Sequence, residues 1–194
     1  MRSFAESGLE FSFPAHWAVR RYDHHTYYRG LSGLGLKGMD FLAIERDAGV
    51  RGKLYCLEIK NYLTRHSEDG VFVATPKPPA QLARTVERKY EDTLRVLAAI
   101  HGYFRRRWFY RLAEPWLARS SYYRFDRVFW TQAYYLAQVP GQVQVVLWLE
   151  VEERDESYRQ AVAEALAERL GKRVEVFVAS RQRPLPGLTA RRGT

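Results

Sequence analysis

Three charged residues stand at or inside two apolar runs: Asp40 in "GMDFLAIER", and Glu58 and Lys60 in "KLYCLEIKNY". An ionised group buried without a partner is strongly destabilising, so such residues either satisfy one another or hold something. In an extended chain, residues two apart project from one face. Glu58 and Lys60 are therefore neighbours with Leu54 and Cys56 behind them, while Tyr55, Leu57 and Ile59 face the opposite layer. Asp40 opens the preceding run, and the glycine-bearing connection "DAGVRG" makes an antiparallel hairpin the economical reading, which sets Asp40 beside Glu58 and Lys60. Two carboxylates converging with an ammonium offer hard oxygen ligands to Mg²⁺ or Mn²⁺, and Ile59, whose side chain points away, leaves its carbonyl near such an ion. An ion held there can polarise a phosphodiester and lower the pKa of a water, while the ammonium positions that water or offsets transition-state charge.

The elements that must carry these residues follow from periodicity. "GLEFSFP" alternates Leu9, Phe11 and Phe13, "WAVRRYD" alternates Trp17 and Val19, and Pro14 separates two extended segments. "HHTYYRGLSGLG" reads as a short helix ending in a glycine-rich loop, and the two charged runs follow as strands. "PKPPAQLARTVERKYEDTLRVLAAIHG" opens on prolines, which a helix accepts at its first turn, and then places Leu82, Val86, Tyr90, Leu94, Leu97 and Ala98 along a long amphipathic helix. Residues 103–138 interleave aromatics with arginines and read as two shorter helices broken near Pro115 and the Ser120–Ser121 pair. Beyond Pro140 come a buried strand, "QVQVVLWLEV", a helix ending at Gly171, and an alternating strand, "RVEVFVAS". Strands first, then helix, strand, helix and strand make a mixed α/β sheet flanked by helices. The expected organisation is a single domain over 1–180, with a basic aromatic helical insertion at about 103–138 and a basic flexible tail over 181–194.

"GMD", followed after a hairpin by "EIK" at the end of an apolar strand and then by a long helix, resembles the PD-(D/E)xK nuclease superfamily. The resemblance covers roughly residues 17–101. It implies a restriction-endonuclease-like αβββαβ core, with the later helix and strand as C-terminal additions. It further implies that Asp40 and Glu58 bind Mg²⁺ or Mn²⁺ and that Lys60 assists the attacking water. Methionine stands where many members have proline before the aspartate. The acidic residue that members often contribute from an N-terminal helix has Glu6, Glu10 and Asp23 as candidates, of which Asp23 ends a strand next to the loop leading to Asp40. By the resemblance the chain is a metal-dependent nuclease hydrolysing DNA, double-stranded or branched. Many such nucleases are homodimers because two strands need two sites, and a homodimer is an assembly the resemblance allows.

Composition agrees with an anionic partner. The 194 residues include 31 Lys+Arg against 22 Asp+Glu, a net charge of +9, which favours a polyanionic partner without naming it. The stretch from Arg84 to Arg127 holds eleven basic and five acidic residues. Most aromatics among them read as the core of the helical insertion with arginines on its solvated face, and Arg105, Arg106 and Arg107 in "RRRW" form the best phosphate-contacting patch. His24 and His25 are poor co-ligands, because adjacent side chains diverge on helix and strand alike. They and Lys37 are read as nucleic-acid contacts. The lone Cys56 excludes a disulfide framework, and no apolar run approaches membrane-spanning length, so a cytoplasmic protein with no membrane partner is expected.

Two other classes stay open at this point. A nucleic-acid-binding protein of the same fold without catalysis needs only the basic surface. A scaffold in a larger complex would use the charged hairpin as an inert ion pair.

Overall fold

The computed structural model describes residues 2–22, 25–27, 35–46, 52–63, 65–67, 70–72, 74–120, 122–123, 125–152 and 155–192. Ten strands are present among them: β1 (Arg2–Glu6), β2 (Leu9–Phe13), β3 (Trp17–Arg21), β4 (Phe41–Glu45), β5 (Lys53–Asn61), β6 (Arg65–Ser67), β7 (Gly70–Phe72), β8 (Val143–Glu150), β9 (Glu175–Ala179) and β10 (Thr189–Arg192). The helices are α1 (Pro79–Arg105), α2 (Trp108–Leu117), α3 (Asp126–Ala137) and α4 (Glu156–Leu170). The sheets have the orders β1-β2-β10, β3-β4-β5-β8-β9 and β6-β7. This is a mixed α/β fold. Where one domain was expected over 1–180, the chain groups into two compact units: Met1–Ala15, Leu57–Glu87 and Val145–Thr194 in the first, His16–Cys56 and Arg88–Gln144 in the second.

In the first unit, β2 buries Leu9, Phe11 and Phe13 and exposes Glu10, as its alternation predicts. The strand β1 was not foreseen. None of its residues is buried, and it is set by a two-residue turn at Ser7 and Gly8, both with positive φ, that pairs Glu6 with Leu9. On the other edge of β2 lies β10, antiparallel, with Thr189 opposite Ser12 and Arg192 opposite Leu9. Residues 181–192 are therefore not the flexible tail expected. Leu185 and Leu188 are buried, and Gly187, at φ 79°, passes so close to Pro14 that a Cβ there would meet its Cγ at 2.8 Å. Phe11 meets Trp148 of β8 edge-on, ring centroids 5.1 Å apart, and both are fully buried. The helix α4 ends at Gly171, as expected.

In the second unit, β3 and β4 pair antiparallel, Trp17 opposite Glu45 and Arg21 opposite Phe41. Trp17 stacks on Tyr55, whose hydroxyl donates to Glu45 Oε2 at 2.7 Å. Along α1, Leu82, Val86, Tyr90 and Leu97 are buried as expected, but Ala98 is exposed. The stripe instead passes through Asp92 and Thr93, both buried because they hold the chain ahead of β4: the Lys37 amide donates to Asp92 Oδ2 and the Met39 amide to Thr93 Oγ1, each at 3.1 Å.

The break expected at Pro115 does not occur. Proline stands inside α2, where it removes one helical donor two residues from the helix end, and Arg111, whose carbonyl loses that donor, is exposed to water. The first break falls instead at Arg106–Arg107, and the second spans Ser120 as expected. Gln132 of α3 closes the end of α2 by donating to the carbonyls of Leu117, at 3.2 Å, and Ser120.

The ordering of the C-terminal segment gives a direct test. Truncating Leu188 to alanine should lower the free energy of unfolding by about 2–5 kcal/mol in urea denaturation, the loss of a fully buried leucine, whereas a frayed tail would show no change.

Candidate active site

The end of β5 belongs to the first unit. Period two does there what the sequence predicts: Glu58 and Lys60 share a face, and the Lys60 ammonium pairs with Glu58 Oε1. Glu58 is 0% exposed, whereas a quarter of the Lys60 side chain remains in water. The same ammonium donates to the Ile59 carbonyl at 3.1 Å, so a carboxylate oxygen and a main-chain oxygen converge on one cation. The strand end is fixed on both flanks: the Tyr62 amide donates to the Glu150 carbonyl at 2.8 Å, and Asn61 Nδ2 donates to the Ser7 carbonyl at 3.0 Å. Burial raises the pKa of the neighbouring Tyr62 phenol.

Asp40 belongs to the second unit and sits immediately before β4. Its carbonyl accepts from the Tyr22 amide at 2.9 Å. Its Oδ1 lies 3.3 Å from the ammonium of Lys89 on α1, and both side chains are largely removed from water. Lys89 was missed by sequence reasoning, although a signal existed: it is the charged residue between Val86 and Thr93 on the stripe that α1 turns inward. Each expected ligand thus has an ammonium partner, one from its own strand and one from a helix. Ile59, the third, offers its carbonyl.

The remaining candidates divide. Asp23 and His24 lie outside the described residues. His25 is engaged with α3: Nε2 is 3.2 Å from Asp126 Oδ2, Asp126 also receives Arg20 Nε at 2.9 Å, and the His25 ring meets Trp130 edge-on. Desolvation lowers the His25 pKa, and the attraction of Asp126 only partly offsets it. The Lys37 side chain is exposed while its amide is tied to Asp92. Arg105, Arg106 and Arg107 are exposed, Arg105 with Nε 3.4 Å from Glu114 Oε2.

The core reading of the aromatics from Tyr103 to Tyr123 is overturned for most of them. Phe104 and Tyr110 are buried, but Tyr103, Trp108, Phe109, Trp116 and Tyr122 are exposed. The reason is that the inner face of the ten-residue α2 is already taken by Tyr110, Glu114 and Leu117. Glu114 Oε1 receives the Tyr135 hydroxyl and His101 Nε2, each at 2.6 Å. Burial by itself would raise the Glu114 pKa, but these hydrogen bonds with the charges of His101 and Arg105 outweigh it and hold the carboxyl below its usual range. Burial and the hydrogen bond to Glu114 push the Tyr135 phenol up to about 12. No short motif announces this cluster, because its members come from three helices.

The chain is thus an α/β protein whose two candidate ligand carboxylates are each paired with a lysine. No family model, curated protein or solved structure matches it. Among the described residues no three of His, Cys, Asp and Glu gather at ligand spacing, and no helix is long and apolar enough to cross a membrane.

Two outcomes follow. Lys60→Met leaves the buried Glu58 carboxylate without its ammonium and should cost on the order of 3 kcal/mol in chemical denaturation, with most of it regained in the double variant Glu58→Gln, Lys60→Met. Because the folded pKa of His25 lies below 6.5, the unfolded chain binds more protons between the two values. Stability should therefore fall as pH drops below 6.5 toward the folded value, and His25→Gln should flatten that slope.

Proposed function

We propose that the chain is a metal-dependent nuclease of the PD-(D/E)xK type, hydrolysing phosphodiester bonds of DNA by in-line attack of water on phosphorus. The observation that carries this reading is the convergence of Glu58 Oε1 and the Ile59 carbonyl on one cation, the Lys60 ammonium. These are hard oxygen donors of the kind Mg²⁺ or Mn²⁺ takes, and the resemblance to the nuclease superfamily adds Asp40 as a ligand. When bound, the metal would polarise the phosphodiester and acidify a water. In this reading Lys60 orients the attacking water once its carboxylate is shared, and Lys89 balances Asp40 and the developing phosphoryl charge. The restriction-endonuclease-like core is supported by the succession β3-β4-β5 in one sheet with β8 next to β5. Before β3, however, the described residues open on β1 and β2 and not on a helix. A homodimer would bring two such centres to two strands. A lone buried cysteine, with burial pushing its thiol up to about 12, suits the reducing cytoplasm.

A second reading is a metal-free nucleic-acid binder of the same fold. The lysine partners of both carboxylates favour it, since an ion pair is itself a complete solution to burial.

Plasmid nicking separates the two. The nuclease should cleave with Mg²⁺ or Mn²⁺ and lose at least about a hundredfold in rate on Asp40→Asn or Lys60→Ala, effects of the size expected for losing a ligand or a general acid–base group. Circular dichroism under native conditions and DNA affinity should remain near those of the unaltered chain, the destabilisation of the Lys60 variant appearing only in denaturation. Binding that ignores chelator, with no cleavage under any metal, decides for the second reading.

A further inference from the structure

The helix α2 is turned so that Trp108, Phe109, Leu112 and Trp116 face water. Trp108, Leu112 and Trp116, four residues apart, are 67%, 74% and 56% exposed. That spacing places them along one line at intervals of about 6 Å. Beyond the helix end, Tyr122 is 64% exposed, and its ring faces that of Trp116 at 25° with centroids 6.5 Å apart. The Trp116–Tyr122 separation is close to twice the stacked-base repeat of about 3.4 Å, the distance two rings need when one base lies between them.

The charge around this face is of one sign. Arg106, Arg107, Arg111 and Arg119 are exposed, and among the described residues none of them pairs with a carboxylate. The two nearby acids are already engaged, Glu114 by His101 and Tyr135 and Asp126 by Arg20 and His25. Arg127 rests on the Phe109 ring, 5.5 Å from its centroid.

We infer that the outer face of α2, with Tyr122, is a binding platform for an unpaired nucleic-acid strand. The rings stack on successive bases and the arginines follow the phosphates. A duplex keeps its bases stacked on one another and offers these rings no faces. A protein partner would have to match an unbroken basic field, and protein interfaces are depleted of charge at their centres. A membrane surface is poorly served, since Leu112 is the only aliphatic side chain on the exposed line and binding of that kind scales with buried apolar area. The platform goes beyond the nuclease reading and does not rest on it, because stacking needs neither metal nor cleavage.

The test is fluorescence anisotropy in EDTA with labelled oligothymidylate, alone or annealed to its complement, using the full chain. The single strand should bind at least about tenfold more tightly than the duplex, and Trp116→Ala and Tyr122→Ala should each weaken it by about tenfold. Arg107→Ala or Arg111→Ala should weaken single-strand binding and reduce its salt dependence. Binding should also quench emission from Trp108 and Trp116, since Trp17, Trp130 and Trp148 are buried. Because the altered side chains are exposed, circular dichroism should be unchanged. Equal affinity for duplex and single strand would overturn the proposal. So would ring variants that leave strand binding intact while abolishing self-association in sedimentation or binding to phosphatidylserine vesicles. Asp40→Asn keeps the two ideas apart: loss of cleavage with strand binding retained supports both, and absence of cleavage with strand binding retained defeats only the nuclease.

Discussion

The carboxylate of Glu58 is withdrawn from water completely, and the end of β5 is arranged around that fact. A charge in such a place has to meet an opposite charge and donors at close range. The two-residue repeat of an extended chain supplies one: Lys60 lies on the same face, keeps a quarter of its side chain in water, and brings its ammonium to Glu58 and to the Ile59 carbonyl. A shift of one residue along the strand would send Glu58 to the layer where Tyr55 packs on Trp17. Asp40 faces a related requirement in another setting. It precedes its strand, and the chain just ahead of it is strung to α1 through Asp92 and Thr93, so the helix that pins this segment also carries the lysine that balances it.

Buried ion pairs are costly solutions. An apolar pair of similar volume commonly stabilises as much or more, so two carboxylates kept ahead of β4 and within β5, among buried Phe, Leu, Ile, Tyr and Cys, represent stability forgone. Function is one reason for retaining them. The chemistry open to the pairs supports that reason. An ammonium and a metal ion compete for the same oxygens, and a lysine that keeps part of its length in water can give way at smaller energetic loss than one enclosed on all sides. The ion pairs therefore solve the burial problem by themselves, and under the proposed metal reading an ammonium would yield its oxygens to the ion.

How much of this was legible in the sequence depends on whether side chains or backbone decided the matter. The strands β2, β4, β5 and β8 and the helices α1 and α4 announce themselves by apolar period or by caps, and the shared face of Glu58 and Lys60 followed from parity alone. The strand β10, "TARR", has nothing in its side chains to mark it; β2 holds it by main-chain pairing, and only Leu185 and Leu188 hinted that the segment was anchored. Lys89 is hidden from the apolar phasing of α1, because a stripe that carries a lysine and an aspartate looks like a stripe that has ended. The aromatics of α2 misled for the opposite reason: rings at helical spacing ordinarily mark an inward face, and nothing local reveals that the inward face is already occupied.

That occupation rests on polar contacts. Glu114 holds α2 to α1 through His101 and to α3 through Tyr135, Tyr110 bonds Thr131, and Gln132 of α3 takes the carbonyls at the end of α2. Hydrogen bonds are directional where apolar burial is not, so this network can fix the rotation of a short helix against the pull of its own rings. Each ring left outside forgoes roughly 1.5–3 kcal/mol of burial. A ten-residue helix cannot sustain that loss by propensity, least of all with Pro115 in its last turn. It can do so when its inner face is locked by a carboxylate whose pKa is held low, which keeps the charge in place at neutral pH. The inward polar network and the outward aromatic face are consequently one feature: the first is what allows the second to stand in water.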